Sequence, residues 1–210
     1  MVLLSTAYFP NIEYCSTLIS NQTIFIEQHE HFIKQTYRNR AIILVANGPV
    51  PLIVPVMKGR GPKTKICDLK ISYDEAWQRN QWRTLFSAYN SSPFFEFYAD
   101  DIEPFFRKKY TFLFDLNMDI LNILTNLLEV RPEIVLTENF EQIPGNCLNL
   151  REKFHPKKEN FRAPYGFRHI KYTQVFSDRT GFTPNLSILD LLFNTGNQAY
   201  SILEDGTRPE

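Results

Sequence analysis

MVLLSTAYFPNIEYCSTLISNQTIFIEQHE, residues 1–30, is the stretch on which the fold reading turns. Val2 to Phe9 reads as a buried strand, stopped by Pro10-Asn11. Ile12 to Ser20 forms a short helix, with Ile12, Leu18 and Ile19 available for burial. Thr23 to His29 reads as a second strand, apolar at Ile24, Phe25 and Ile26 and then abruptly polar. Strand, helix and strand this close together form the pattern of a parallel crossover unit.

Working outward, Arg40 to Ala46 and Val50 to Met57 are two β-rich runs around Asn47-Gly48-Pro49, a strong hairpin signal. Lys58 to Lys63 reads as a flexible basic loop, and Ile66 to Tyr73 as a further strand. Helices dominate the middle. Ser72-x-x-Glu75 resembles a capping box before a helix with Trp82, Leu85, Phe86 and Tyr89 on one stripe. Ser92-Pro93 reads as the N-cap and first turn of another. Leu116, Ile120, Ile123, Leu124 and Leu127 recur at helical spacing between Asp115 and Glu129, and Arg131-Pro132 ends that run. Glu133 to Thr137 looks like one more strand. Ser187 to Asp190 opens a helix ending at Asn194-Thr195-Gly196. Residues 139–172, rich in Pro, Gly, Asn and charge, read as a long mobile or functional loop region. The expectation is a single domain over residues 1–210, α/β or α+β. It has a mixed sheet with an N-terminal β-α-β unit, a hairpin, and a helical middle and C-terminal part.

The composition fits a packed interior. Eighteen Phe and ten Tyr need one, since each ring buries on the order of 150–250 Å². Net charge is zero, so no global field attracts nucleic acid or an anionic membrane. Arg151 to Lys171 is locally basic and interleaved with Phe154, Phe161, Tyr165 and Phe167, a mixture able to stack a base or grip a pyrophosphate. Cys15, Cys67 and Cys147 are widely spaced, without any CxxC, and read as unpaired thiols. The N-terminus lacks a signal peptide's basic region, and no apolar run approaches the ~20 residues that span a bilayer, so a cytoplasmic location is expected.

The densest polar cluster is Glu27-Gln28-His29-Glu30-His31, followed by Lys34 to Arg40. A strand continued through it would put Glu27, His29 and His31 on one face, a place for a general base or a metal. The alternative is an exposed strand end with satisfied histidines, and without further ligands at recognisable spacing no metal is assigned. Arg38 and Arg40, two apart on an extended chain, could clamp a phosphate or carboxylate; a solvated pair is the alternative. Asp190 lies in a capping arrangement with Ser187, and His155 and His169 show no partners in the sequence. The phosphate-loop, dinucleotide-binding, serine-hydrolase and HExxH signatures are all absent.

Ala7 to Tyr14, Lys34 to Arg40, Leu52 to Val56, Trp82 to Tyr89 with Ser92 to Phe95, and Gly181 to Phe193 resemble, in order, the successive blocks of the WbqC-like family. The variant is most similar to those of Bacteroidetes-type bacteria. Two positions depart from the family pattern, which often has His where Gln81 stands and Gln-Pro where Thr6-Ala7 stand. The resemblance implies a place in bacterial surface-polysaccharide (O-antigen-like) synthesis, with aminoacyl or acyl transfer to a sugar among the suggested chemistries. It names no cofactor.

Residues and resemblance together lead to a transferase acting on a sugar intermediate or an activated donor. His29 or Glu27 would take the acceptor proton, Arg38 and Arg40 would hold a phosphate or carboxylate, and Tyr8, Tyr37 and Asn39 would help bind and orient the substrate. The rivals are a non-catalytic ligand-binding or scaffold protein and, more remotely, a nucleic-acid binder.

Overall fold

The computed structural model describes residues 1–57, 64–140, 147–156 and 167–208. The expected basic loop from Lys58 to Lys63, and the centre of the basic segment between Arg151 and Lys171, lie outside the described residues.

β1 (Val2–Ser5) and β2 (Thr23–Glu27) pair in parallel, joined by helix α1 (Ile12–Ser20). Each strand is shorter than the apolar run suggested. β1 ends at Ser5 because the chain then turns, with Phe9 at a positive φ of 37°, before Asn11 caps α1 by accepting from the Tyr14 amide. β2 ends at Glu27, where the chain bends, so it does not run through His31 as one extended face. All four residues of β1 are buried, as a central parallel strand requires.

β3 (Arg40–Val45) and β4 (Gly48–Ile53) form the expected hairpin, standing as a two-stranded sheet apart from the parallel one. Val45 pairs with Gly48, so the turn residues are Ala46-Asn47, and Gly48 follows with φ 111°. Pro49 and Pro51 are tolerated because β4 has β3 as its single neighbour and can leave amide positions unbonded. Ile66 to Tyr73 is not a strand. It is a single 3-10 turn, Ile66–Asp68, followed by isolated bridges from Lys70 to Phe112 and from Ile71 to Val56.

Helices α2 (Trp77–Tyr89), α3 (Phe95–Ile102) and α4 (Leu113–Leu127) fill the middle. Neither serine cap forms. Ser72 Oγ bonds Asp74 and Ser92 Oγ donates to the Tyr89 carbonyl, while α2 and α3 start three or more residues later. β5 (Glu133–Leu136) pairs with β2, and β6 (Leu148–Asn149), unforeseen in its polar surroundings, pairs with β1. Strand order is β5-β2-β1-β6, all parallel. After α5 (Ser177–Thr180), α6 (Ile188–Thr195) is buried almost throughout and α7 (Gln198–Thr207) packs on α1. No helix among the described residues is long and apolar enough to cross a membrane.

Candidate functional site

The connection from β1 to β2 leaves to one side of β1, and the later chain returns β6 to the other. In open parallel sheets the crevice at the carboxyl ends of strands so arranged is where ligands bind. Four side chains meet there: Glu27 from the end of β2, Glu30 and Arg38 from the coil that follows, and Arg151 just past β6. Arg38 donates from Nε to Glu30 Oε1 at 2.7 Å and from Nη2 to Glu30 Oε2 at 2.6 Å, a bidentate pair with the arginine 3% exposed. Ser5 Oγ, at the tip of β1, accepts from Arg38 Nη2 at 2.8 Å. Its single proton faces Glu30 Oε2 at 3.1 Å and the Arg151 carbonyl at 2.9 Å. Glu27, fully buried, accepts from Thr137 Oγ1 and the His29 amide, and pairs with Arg151 Nη1 at 3.1 Å.

The quartet is therefore charge-balanced, two guanidiniums against two carboxylates. Over it opens a cleft of about 470 Å³ lined by Glu30, His31, Phe140, Asn149, Arg151 and Lys153, among others. Arg151 lies 4.9 Å over the half-exposed Phe140 ring, and Asn149 Oδ1 accepts from its Nε. Among the described residues no group of three or more His, Cys, Asp or Glu is placed to hold a metal.

The expected site residues scatter around this cleft. Arg38 is at its base but occupied by Glu30, so it forms no anion clamp with Arg40, whose buried Nε finds no partner among the described residues. His29 is half-buried beside the cleft, and His31 lines it. Asn39 donates to the Val54 carbonyl, bracing the hairpin. Tyr8, deeply buried, donates to Gln81 Oε1 at 2.7 Å, and Gln81 in turn donates to the Ile53 carbonyl. Burial and then the neighbouring Tyr73 push the Tyr8 phenol's pKa upward, so it stays protonated. Gln81, the position where a family histidine was expected, thus holds Tyr8 in the core. Tyr37 lines a very small pocket with Ser5, Thr6, Arg38, Arg151 and Phe154, among others.

Sequence reasoning missed Ser5, Glu30, Thr137 and Arg151 as members of one cluster. Glu27 and Arg151 are 124 residues apart, and only the β5-β2-β1-β6 order brings them together. Glu30 carried a usable signal, standing between two histidines directly after a buried run.

A second buried network surrounds Asp190, which accepts from Tyr89 at 2.8 Å, Tyr172 at 2.6 Å and Gln174 at 3.0 Å. Its role is thus larger than capping α6, where the Ser187 side chain meets the Leu189 amide. Burial raises the Asp190 pKa, partly opposed by those three donors.

Over 95% of its length the chain is 24% identical to the uncharacterized protein Rv1507c of Mycobacterium tuberculosis, and covers 95% of that protein. No solved structure matches it significantly. The model of the WbqC-like protein family matches residues 6–154 and 149–202, nearly the whole described fold; it starts just past the end of β1 and includes β2 and β6. The chain belongs to the WbqC-like protein family.

Proposed function

We propose that this protein is a transferase acting on a sugar intermediate of bacterial surface-polysaccharide synthesis, with the sugar held in the cleft at the carboxyl ends of β1, β2 and β6. One observation carries the reading: the cleft mixes polar side chains with apolar surface, and Arg151 in its wall, like Arg38 behind Glu30, is matched by a carboxylate before any ligand arrives. A phosphate would have to compete with Glu27 and Glu30. A neutral polyhydroxylated ring instead exchanges hydrogen bonds with carboxylate, guanidinium and amide together, and Phe140 offers it an apolar face.

In this assignment His31, which lines the cleft, takes the proton of an acceptor hydroxyl or amine, and His29 stands half-buried beside it. Glu27 positions Arg151. Tyr8 and Asn39 brace the chain behind the cleft through Gln81 and the Val54 carbonyl, and the Tyr37 carbonyl accepts from the Tyr8 amide. The proposed reaction class is acyl or aminoacyl transfer, and family membership is consistent with a place in polysaccharide synthesis.

The test is a thermal-shift and calorimetric panel of nucleotide sugars and free hexoses. A ligand specific to the folded state stabilises it by about 2.7 kcal/mol at a hundredfold excess over Kd. Expected is a shift with one sugar class whose affinity falls at least about tenfold in Phe140→Ala and Asn149→Ala, through loss of a contact of about 1.4 kcal/mol or more. A flat panel, or Phe140→Ala binding like the wild type, would overturn the reading. The scaffold alternative is favoured by Phe86 on α2 and Phe97 on α3, 51% and 72% exposed. Nucleic-acid binding draws no support from a balanced quartet.

A further inference from the structure

Phe97 and Phe86 are the most exposed aromatic side chains among the described residues. They stand on neighbouring helices. Phe86, on α2, meets Phe95 of α3 edge-on with ring centroids 5.8 Å apart. Phe97 follows two residues further along α3, its ring 4.9 Å from that of Tyr98. The seam between the helices is filled by other rings, since Trp82 stacks on the buried Phe95 at 5.9 Å. A Phe left largely in water gains little of the burial that rewards so large a ring, and two of them on adjacent helices make an apolar patch rather than a scattered pair.

Charge surrounds the two rings with opposite sign. On α2, Arg79, Arg83 and Phe86 fall at i, i+4 and i+7, one outward row in which all three are exposed. On α3, Glu96 and Asp100 are exposed one turn apart, with Phe97 between them in sequence. Among the described residues none of these four charges forms an ion pair, although the helices are neighbours. The arginines of α2 are thus free to meet carboxylates of another molecule, and the carboxylates of α3 to meet its arginines.

A basic row beside one ring and an acidic row beside the other make a surface complementary to itself. A two-fold axis that lays α2 of each copy across α3 of its partner brings arginines to carboxylates twice, with the rings between them. An aromatic centre with a charged rim is the composition of protein interfaces. A nucleic acid or an anionic membrane would match the α2 row and be repelled by the α3 row.

We propose that the α2–α3 face is the interface of a two-fold homodimer, with Phe86 and Phe97 at its centre and Arg79 and Arg83 of each copy facing Glu96 and Asp100 of the other. The inference is independent of the sugar cleft, since no residue of α2 or α3 lines it. The two rings together offer on the order of 200 Å² per copy, against about 800 Å² per partner in a standard interface. The polar rim therefore supplies most of the contact, and the association weakens as salt screens it.

The test is sedimentation velocity of the full chain over a concentration series at low and high salt. Expected is a mass rising towards twice the chain's 24.7 kDa with concentration, and less readily at high salt. Phe97→Ser should raise the dissociation constant at least about tenfold, as truncation of a central ring does. Arg79→Glu with Arg83→Glu in one chain, and Glu96→Arg with Asp100→Arg in another, should each give a monomer. An equimolar mixture of the two should restore the dimer, because every reversed charge then meets its opposite. All five positions are exposed, and melting curves establish that the variants fold. A wild type that stays monomeric throughout would overturn the proposal and leave the face to an unrelated partner. Reversed variants that still dimerise alone, or a mixture that stays monomeric, would overturn it equally.

Discussion

Glu30 illustrates how much a single buried charge decides. It accepts from both Nε and Nη2 of Arg38, a guanidinium with almost no access to water. Glu30→Ala would leave that charge uncompensated, and breaking such a pair costs about 3–5 kcal/mol. Urea denaturation should therefore move to a much lower midpoint at an unchanged slope. Arg38→Met added to Glu30→Ala should recover part of the loss, because the unpaired charge goes with it. If the double variant is no more stable than Glu30→Ala alone, the cost lies in packing rather than charge. Glu27 and Arg38 were visible in the sequence as members of a polar run, but nothing in that run says which carboxylate faces which guanidinium.

Between elements, the Asp190 network couples α6 to α2 through Tyr89, to the strap through Tyr172 and Gln174, and to β3 because the Tyr89 hydroxyl accepts from the Leu44 amide. Its raised pKa fixes the sign of a pH dependence. A carboxyl protonated more readily in the folded chain contributes stability that is fully present below its unfolded value of about 4, and loses it as pH rises through the folded value. The stability of the wild type relative to Asp190→Asn should then fall between acid and neutral pH in chemical denaturation. A relative stability that grows with pH would show that the three donors outweigh burial. Here too the local signal was partial: Ser187 and Asp190 at capping spacing announced the helix start, while the tyrosines that use the carboxylate come from 18 and 101 residues away.

At the scale of the molecule, the last third of the chain completes structures begun in the first. β6 supplies the far edge of the sheet beside β1, α6 contacts β3, and α7 covers α1. Unfolding should accordingly be one transition, with calorimetric and van't Hoff enthalpies equal, as a single domain requires. Two resolved transitions would place a domain boundary inside residues 1–210. The sequence by itself determined the N-terminal β-α-β unit, the hairpin and the long amphipathic helix α4, because those signals are local and arise from periodicity and turn chemistry. It also determined the family, through blocks spread in order along the chain. Only the tertiary structure decided that the hairpin stands apart from the sheet, that two residues near position 148 form a strand, and that Ser5, Glu27, Glu30, Arg38 and Arg151 share one crevice. Those outcomes depend on strand order and on charge pairing across more than a hundred residues, and such contacts leave no period or spacing in the chain to read.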